Sequence, residues 1–268
     1  MEPYLALMRR YCIDYTTVHE VGVCDDIMRP DYTVRVSGRT LEMGDYRTAV
    51  AGAFRRFPTL SLTVHEMLRS GPRLAMRFSE HGASPGHGGA VAVWQGISLY
   101  DWDGAQLRSC LVEQDFLGRS RQLATGRPDQ LEQAHPDPWA TTTDESGDLD
   151  AEATVRAWLA AWGSAADSSH VEAPGFRLVL DDSPHVGPTA PLLVPRELTV
   201  NDLFSAGTRV AAHITLAGTY AGGLPGIASD RIGELGIMDA TLIAETAPGS
   251  VVRLHLVQDR WGLQQRLR

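Results

Sequence analysis

The 268-residue chain is 43% hydrophobic and 21% charged, an ordinary soluble composition, and its length suits two domains that each bury a core. A formal net charge of -9 argues against nucleic acid as a main partner, because a phosphate-binding face needs clustered Lys and Arg. No apolar run approaches the roughly 18 residues of a membrane span, and the start of the chain lacks a basic segment followed by an apolar one, so no membrane partner and a cytoplasmic location are expected.

In chain order, residues 3 to 28 read as an amphipathic helix: Leu5, Met8, Cys12, Tyr15 and His19 recur at three- and four-residue spacing, with Pro3 in the first turn. A short strand over residues 31 to 36 precedes a second helix over residues 45 to 57, with Tyr46, Val50, Phe54 and Phe57 on one side and Pro58 as its stop. The period then changes to that of strands over residues 60–68, 73–83, 90–101 and 107–116, with Ser70-Gly71-Pro72 and Asp103-Gly104 as turns and residues 85 to 89 as a loop. Helices followed by antiparallel strands make an α+β unit. Residues 124 to 150 are rich in Pro, Thr, Asp and Gly and read as a linker, with Trp139 as its one large apolar residue.

The second half repeats the order. A helix is expected over residues 151–166, a strand near 176–180, a helical stretch near 198–205, and strands over 209–220, 232–246 and 250–258. The stretch LRSCLVEQDFLGRSRQL at 107–123 returns as VRLHLVQDRWGLQQRL at 252–267, with Asp115 on Asp259, Gly118 on Gly262 and Leu123 on Leu267. These acids lie about half the chain apart, so the repeat is too long for a solenoid and fits a domain duplicated in tandem. The expected boundaries are 1–130 and 150–268, with a linker over 131–149. Cys12, Cys24 and Cys110 are odd in number and lack CxxC spacing, so buried free thiols are expected. His65, His81 and His87 match no standard ligand spacing, and no phosphate-binding glycine loop or G-x-S-x-G is present. Arginine replaces lysine throughout, which suggests a GC-rich bacterial genome.

The layout of two helices followed by a sheet ending in an acid, with WQGISLYDWDGAQLRSCLVEQDFLGRSRQ at 94–122 closing on Asp115, Gly118, Gln122 and Leu123, resembles the SnoaL-like polyketide cyclases of the NTF2-like superfamily. The resemblance implies two tandem cone domains, each a curved antiparallel sheet wrapped around N-terminal helices with an apolar pocket. It also implies that they pack as a pseudo-dimer, so that the protein is a monomer or a homodimer. The same resemblance makes an acid at the position of Asp115 the proton shuttle of an intramolecular aldol closure. It places the partner histidine of those enzymes near Tyr100.

Taken from the residues alone, Asp115 shares a strand face with Leu107, Ser109, Leu111 and Glu113. If that face looks into a pocket, burial raises the Asp115 pKa and makes it a usable acid or base. A strand-end Asp before Gly is equally a turn residue. His81 and Arg77 share a face of the preceding strand, as a titrating group and an oxyanion partner, or as a rim histidine and an arginine paired with Glu80 or Glu66. Tyr15 and His19 extend toward a pocket mouth, and the isomerase branch of the superfamily implies a tyrosine on this helix as oxyanion donor. Trp94, Trp102, Phe54 and Phe57 suit an aromatic lining, or plain core. The epoxide-hydrolase branch implies Arg-x-Asp where this chain has Arg77-Phe78-Ser79, so its triad is incomplete. The second copy offers Asp259, His213 and Tyr220, with Asp239 in addition, but has Ala217 where the first has His81.

The expected function is a cofactor-independent cyclase or isomerase of a polyketide-like or terpenoid-like intermediate in bacterial secondary metabolism. Asp115 would work with His81, Arg77 and Tyr15, and His19, Phe54, Trp94, Tyr100 and Glu113 would bind the substrate. An epoxide hydrolase and a non-catalytic small-molecule-binding module are the alternatives.

Overall fold

The structure is a computed structural model that describes residues 2–164, 166–181, 183–185 and 191–268. It divides into two compact units, Met1–Asp144 and Glu145–Arg268. Each is α+β, a curved sheet with helices.

The N-terminal unit begins with helix α1 (Pro3–Arg10), where Pro3 fits the first turn and the Glu2 carboxylate accepts from the Leu5 N–H at 3.0 Å. The predicted single helix does not run on to residue 28. It widens into a π-helical segment, Tyr11–Thr17, in which the Thr16 and Thr17 hydroxyls each donate to a carbonyl five residues back at 2.9 Å. His19 then takes a left-handed φ of 65° and ends the run, and a short helix α2 (Val23–Ile27) follows. Next come β1 (Met28–Val36), β2 (Arg39–Glu42), α3 (Met43–Arg56), β3 (Ser61–Ser70), β4 (Arg73–Ser84), β5 (Ala90–Trp102), β6 (Leu107–Gln114), α4 (Phe116–Thr125) and β7 (Thr143–Asp144). The sheet order is β2-β1-β6-β5-β4-β3-β7. It is antiparallel except where β1 lies along β6 and β7 along β3. A bulge after Val64 in the β3–β4 pair adds to the bend.

The C-terminal unit holds α5 (Leu149–Gly163), β8 (Glu172–Leu180), β9 (Ser183–His185), β10 (Leu193–Ala206), β11 (Arg209–Tyr220), β12 (Leu235–Ala247), β13 (Ser250–Gln258) and α6 (Arg260–Leu267). Its order, β10-β11-β12-β13-β8-β9, is that of the first sheet read from β3 to β2, with the same parallel pair and a bulge at the corresponding place, after Val200. The helical stretch expected near 198–205 is strand β10, whose Thr199, Val200 and Phe204 are pair-bonded to β11 across its length. Part of the long loop at 181–195 lies outside the described residues.

Each unit has its own core. Tyr4, Met8, Tyr32, Leu74 and Met76 anchor the first, and Val155, Trp158, Leu242 and Leu254 the second. All three cysteines are buried and free, and Trp139 packs against the first core. Among the described residues no helix is long and apolar enough to cross a membrane.

Candidate functional site

A cavity of about 190 Å³ lies in the N-terminal unit, walled by the π-helical segment, α3, the sheet and the start of α4. Strand alternation decides what it sees. From β4 it receives Phe78 and Glu80, and from β6 Cys110, Val112 and Gln114. The widened segment contributes Tyr11, Tyr15 and Thr16, because 4.4 residues per turn bring positions i, i+4 and i+5 to one side. Helix α3 adds Tyr46, Val50 and Phe54, and α4 adds Phe116 and Arg119, one turn apart.

The polar groups gather at two places. Glu80 pairs across the ladder with Trp94, whose indole N–H donates to Gln114 Oε1 at 2.7 Å. The Arg119 guanidinium lies over the rings of Phe116 (4.3 Å), Trp94 (5.0 Å) and Phe57 (5.6 Å). Loss of water raises the Glu80 pKa to about 7, with Arg119 and the Trp94 N–H pulling the other way. The same desolvation lowers Arg119 to about 10, against the pull of Glu80, so it stays cationic at neutral pH. Six residues along β5 from Trp94, Tyr100 meets Tyr11 edge-on at 5.6 Å, and the Tyr11 and Tyr46 hydroxyls stand 3.3 Å apart. Burial pushes Tyr11, Tyr15, Tyr46 and Tyr100 above the ordinary phenol range, so they are neutral donors at pH 7. At about 3.3 Å per strand residue, the two polar places are roughly 20 Å apart along the strand.

Of the residues singled out from the sequence, Tyr15, Phe54, Trp94 and Tyr100 line this cavity. His19 does not; its ring stacks on Phe54 at 4.0 Å and its Nε2 bonds the Leu60 carbonyl at 3.1 Å, which steadies the wall from behind. Arg77 and His81 share the other face of β4. Arg77 makes a two-pronged pair with Glu132 at 2.5 and 2.8 Å and lies 3.7 Å from Glu66, while His81 reaches Thr63 at 3.4 Å and is held below the usual imidazole range by burial. Ser79, on that same face, meets His65 Nε2 at 2.8 Å. Glu113 is buried on the opposite face of β6 from Val112, with both carboxylate oxygens 3.2 Å from the Ser37 N–H.

Asp115 stands at the end of β6 as the N-cap of α4. Its Oδ1 accepts from the Gly118 N–H at 2.9 Å, and it is not among the residues lining the cavity. Asp259 caps α6 in the same way, bonded to Gly262 at 2.8 Å and to Arg266 at 3.1 Å. In both, a Cβ on the glycine would collide with the capping carboxylate, so the D-x-x-G pattern is met here as a capping requirement. In the C-terminal unit His213 Nδ1 accepts from Asn201 at 2.9 Å, the Tyr220 hydroxyl accepts from the Leu224 N–H at 2.8 Å, and Asp239 accepts from Thr215 at 2.6 Å.

Sequence reasoning missed Glu80, Arg119, Tyr11 and Tyr46 as site residues. In RFSEHG at 77–82 both strand faces carry polar residues, so the pattern does not reveal its phase. The available signal was the Phe116–Arg119 spacing just after the D-x-x-G aspartate, which sets an aromatic ring and a cation on one helix face.

The C-terminal unit carries the same ladder with different contents. Register places Leu216 where Glu80 stands, Met238 for Trp94 and Ala244 for Tyr100, and the position after Gly262 gives Leu263 for Arg119. All four are buried.

No family model and no curated protein matches the chain. Solved structures similar to it include a candidate polyketide cyclase from Acidithiobacillus ferrooxidans, 20% identical over 45% of this chain and 94% of that one, with a TM-score of 0.41. A candidate SnoaL-like polyketide cyclase from Jannaschia sp. CCS1 is 16% identical over 45% and 90%, with a TM-score of 0.42. AclR, a candidate hydroxylase from Streptomyces galilaeus, is 16% identical over 45% and 94%, with a TM-score of 0.41. Each covers a little under half of this chain, and at these scores the likeness assigns no residue, substrate or reaction.

Proposed function

We propose that the N-terminal unit is a cofactor-independent acid–base catalyst of the SnoaL-like kind, cyclising or isomerising a small polyketide-like or terpenoid-like molecule, with Glu80 rather than Asp115 as proton carrier. The observation that carries this reading is a carboxyl of pKa about 7 inside an aromatic cavity beside a cation. A general acid–base group is most effective when its pKa lies near the working pH, since it then takes and returns a proton with comparable ease.

In the reaction, the Glu80 carboxylate removes a proton from carbon next to a substrate carbonyl, and the electron pair moves onto the carbonyl oxygen. Arg119 holds that oxyanion. The enolate carbon then attacks a second carbonyl of the same molecule and the Glu80 carboxylic acid returns its proton to the alkoxide so formed, or the Glu80 carboxylic acid protonates the conjugated enolate at a different carbon, so the product has the mass of the substrate. The rings of Phe54, Phe78 and Trp94 hold the chain folded and keep water out. The C-terminal unit, with aliphatic residues at the matching positions, serves as a non-catalytic partner.

The test is to add purified protein to a cell extract from a strain lacking it and follow metabolites by mass spectrometry, beside Glu80→Gln and Asp115→Asn. A product of unchanged mass, lost with Glu80→Gln and kept with Asp115→Asn, is expected. A gain of one water would make the protein a hydrolase, and no conversion with a metabolite co-purifying would make it a binding module.

A further inference from the structure

The geometry points to a ligand that is a planar molecule of one or two rings carrying a single oxyanion, seated with that oxygen against Arg119. This rests on the cavity being the ligand site. Size sets the first limit: a cavity of about 150 Å³ takes a benzene ring, so about 190 Å³ takes one ring with a substituent or two fused rings. Shape sets the second, since Arg119 is already sandwiched among Phe57, Trp94 and Phe116, and a flat ligand continues that stack.

Charge sets the third. The groups that bear on Glu80 are Arg119 on α4 and Trp94 on β5. Those that bear on Arg119 are Glu80, Arg56 at the end of α3, and Asp115. The remaining polar lining consists chiefly of neutral hydroxyls and the Gln114 amide. When Glu80 is protonated no anion among the described residues lines the cavity beside the desolvated Arg119 cation, the outlying Asp115 and Arg56 being of opposite sign, and an incoming oxyanion balances that cation. When Glu80 is ionised it competes for the same cation. Binding an anion thus favours the protonated carboxyl, and at pH 7 a carboxylate ligand draws in about half a proton. A phenol or enol reaches the same end state by giving up its own proton, to Glu80 where that is ionised and to solvent where Glu80 is already protonated, so at pH 7 about half a proton is released.

Calorimetric titration of 2-naphthoate, methyl 2-naphthoate and 2-naphthol into the full chain, in two buffers of different ionisation enthalpy at pH 7, tests this. Either 2-naphthoate with about half a proton taken up, or 2-naphthol with about half a proton released and the absorption of naphtholate, should bind more tightly than the ester. The first outcome identifies a carboxylate ligand and the second an enol or phenol. Arg119→Met should weaken the preferred acid about 10- to 100-fold and leave the ester unchanged, with Arg119→Lys restoring part of the loss. Glu80→Gln should keep 2-naphthoate binding and abolish its proton uptake. Ester binding as tight as both acids, or acid binding indifferent to Arg119→Met, overturns the oxyanion site while the cavity stands as a ligand site. Binding of none of the three overturns both.

Discussion

The Asp115 carboxylate closes over the Gly118 N–H at 2.9 Å so tightly that no side chain fits on residue 118. Asp259 and Gly262 repeat the relationship at 2.8 Å. A group committed to a helix terminus contributes to stability through the cap. Asp115→Ala should therefore cost about 1 kcal/mol, and Asp115→Asn, which also caps, much less. Thermal melts check both. If Asp115→Asn leaves the melting temperature alone but abolishes conversion, the acid has a chemical role as well.

Glu80 makes stability depend on pH in a direction opposite to that of most carboxylates. Its folded pKa of about 7 lies above the ordinary carboxylate value, so between about pH 4.5 and 7 the folded protein binds more protons than the unfolded chain, and stability falls as pH rises. Against Glu80→Gln, the wild type should lose on the order of 2 kcal/mol between pH 5 and pH 8. Denaturant midpoints at the two pH values measure it, and a difference independent of pH would remove Glu80 from the water-poor setting that its chemistry needs.

Gly96 faces Phe78 across the β4–β5 ladder, and a Cβ there would stand 2.5 Å from Phe78 Cζ and 3.0 Å from Gln114 Cγ. Gly96→Ala should push the Phe78 ring into the cavity and disturb the Gln114–Trp94 bond, costing about 1–3 kcal/mol. Ligand binding should fall while circular dichroism stays that of the wild type. Retained binding would show that the ligand does not use this wall.

Arg77 and Glu132 are a pair on the face of β4 away from the cavity. Arg77→Met should lower the melting temperature, because Glu66 and Glu132 lose their cation, yet leave the pH profile of conversion unchanged. A shifted profile would tie this pair to the chemistry.

The duplicated positions allow a reciprocal exchange. Leu216→Glu places a carboxyl where the C-terminal unit has Leu263 instead of an arginine, and should destabilise that unit by about 3 kcal/mol or more at pH 8. Glu80→Leu should be tolerated at the same pH while conversion is lost. Stability unmoved by Leu216→Glu would mean that the second unit has room and water at that point.

The sequence by itself determined the α+β layout and the repeat. Alternating runs broken at Gly71 and Gly104, and the return of the Asp115 stretch at Asp259, needed no coordinates to be read. It also supplied most of the aromatic lining, since Phe54, Phe57 and Trp94 are large apolar residues that must be buried somewhere, while Trp102, expected with them, stacks on Tyr4 at 4.8 Å and does not line the cavity. Tertiary structure decided which strand face looks inward. Residues 77 to 81 and 109 to 115 carry polar side chains on both faces, and a strand's period of two gives no phase until a helix covers one side. Once α3 lies over the even-numbered face, Glu80 and Gln114 are inside and Arg77, His81 and Glu113 are not. The switch from α to π winding at Tyr11, and the left-handed turn at His19, were likewise settled by packing, because local pattern runs through both without a break.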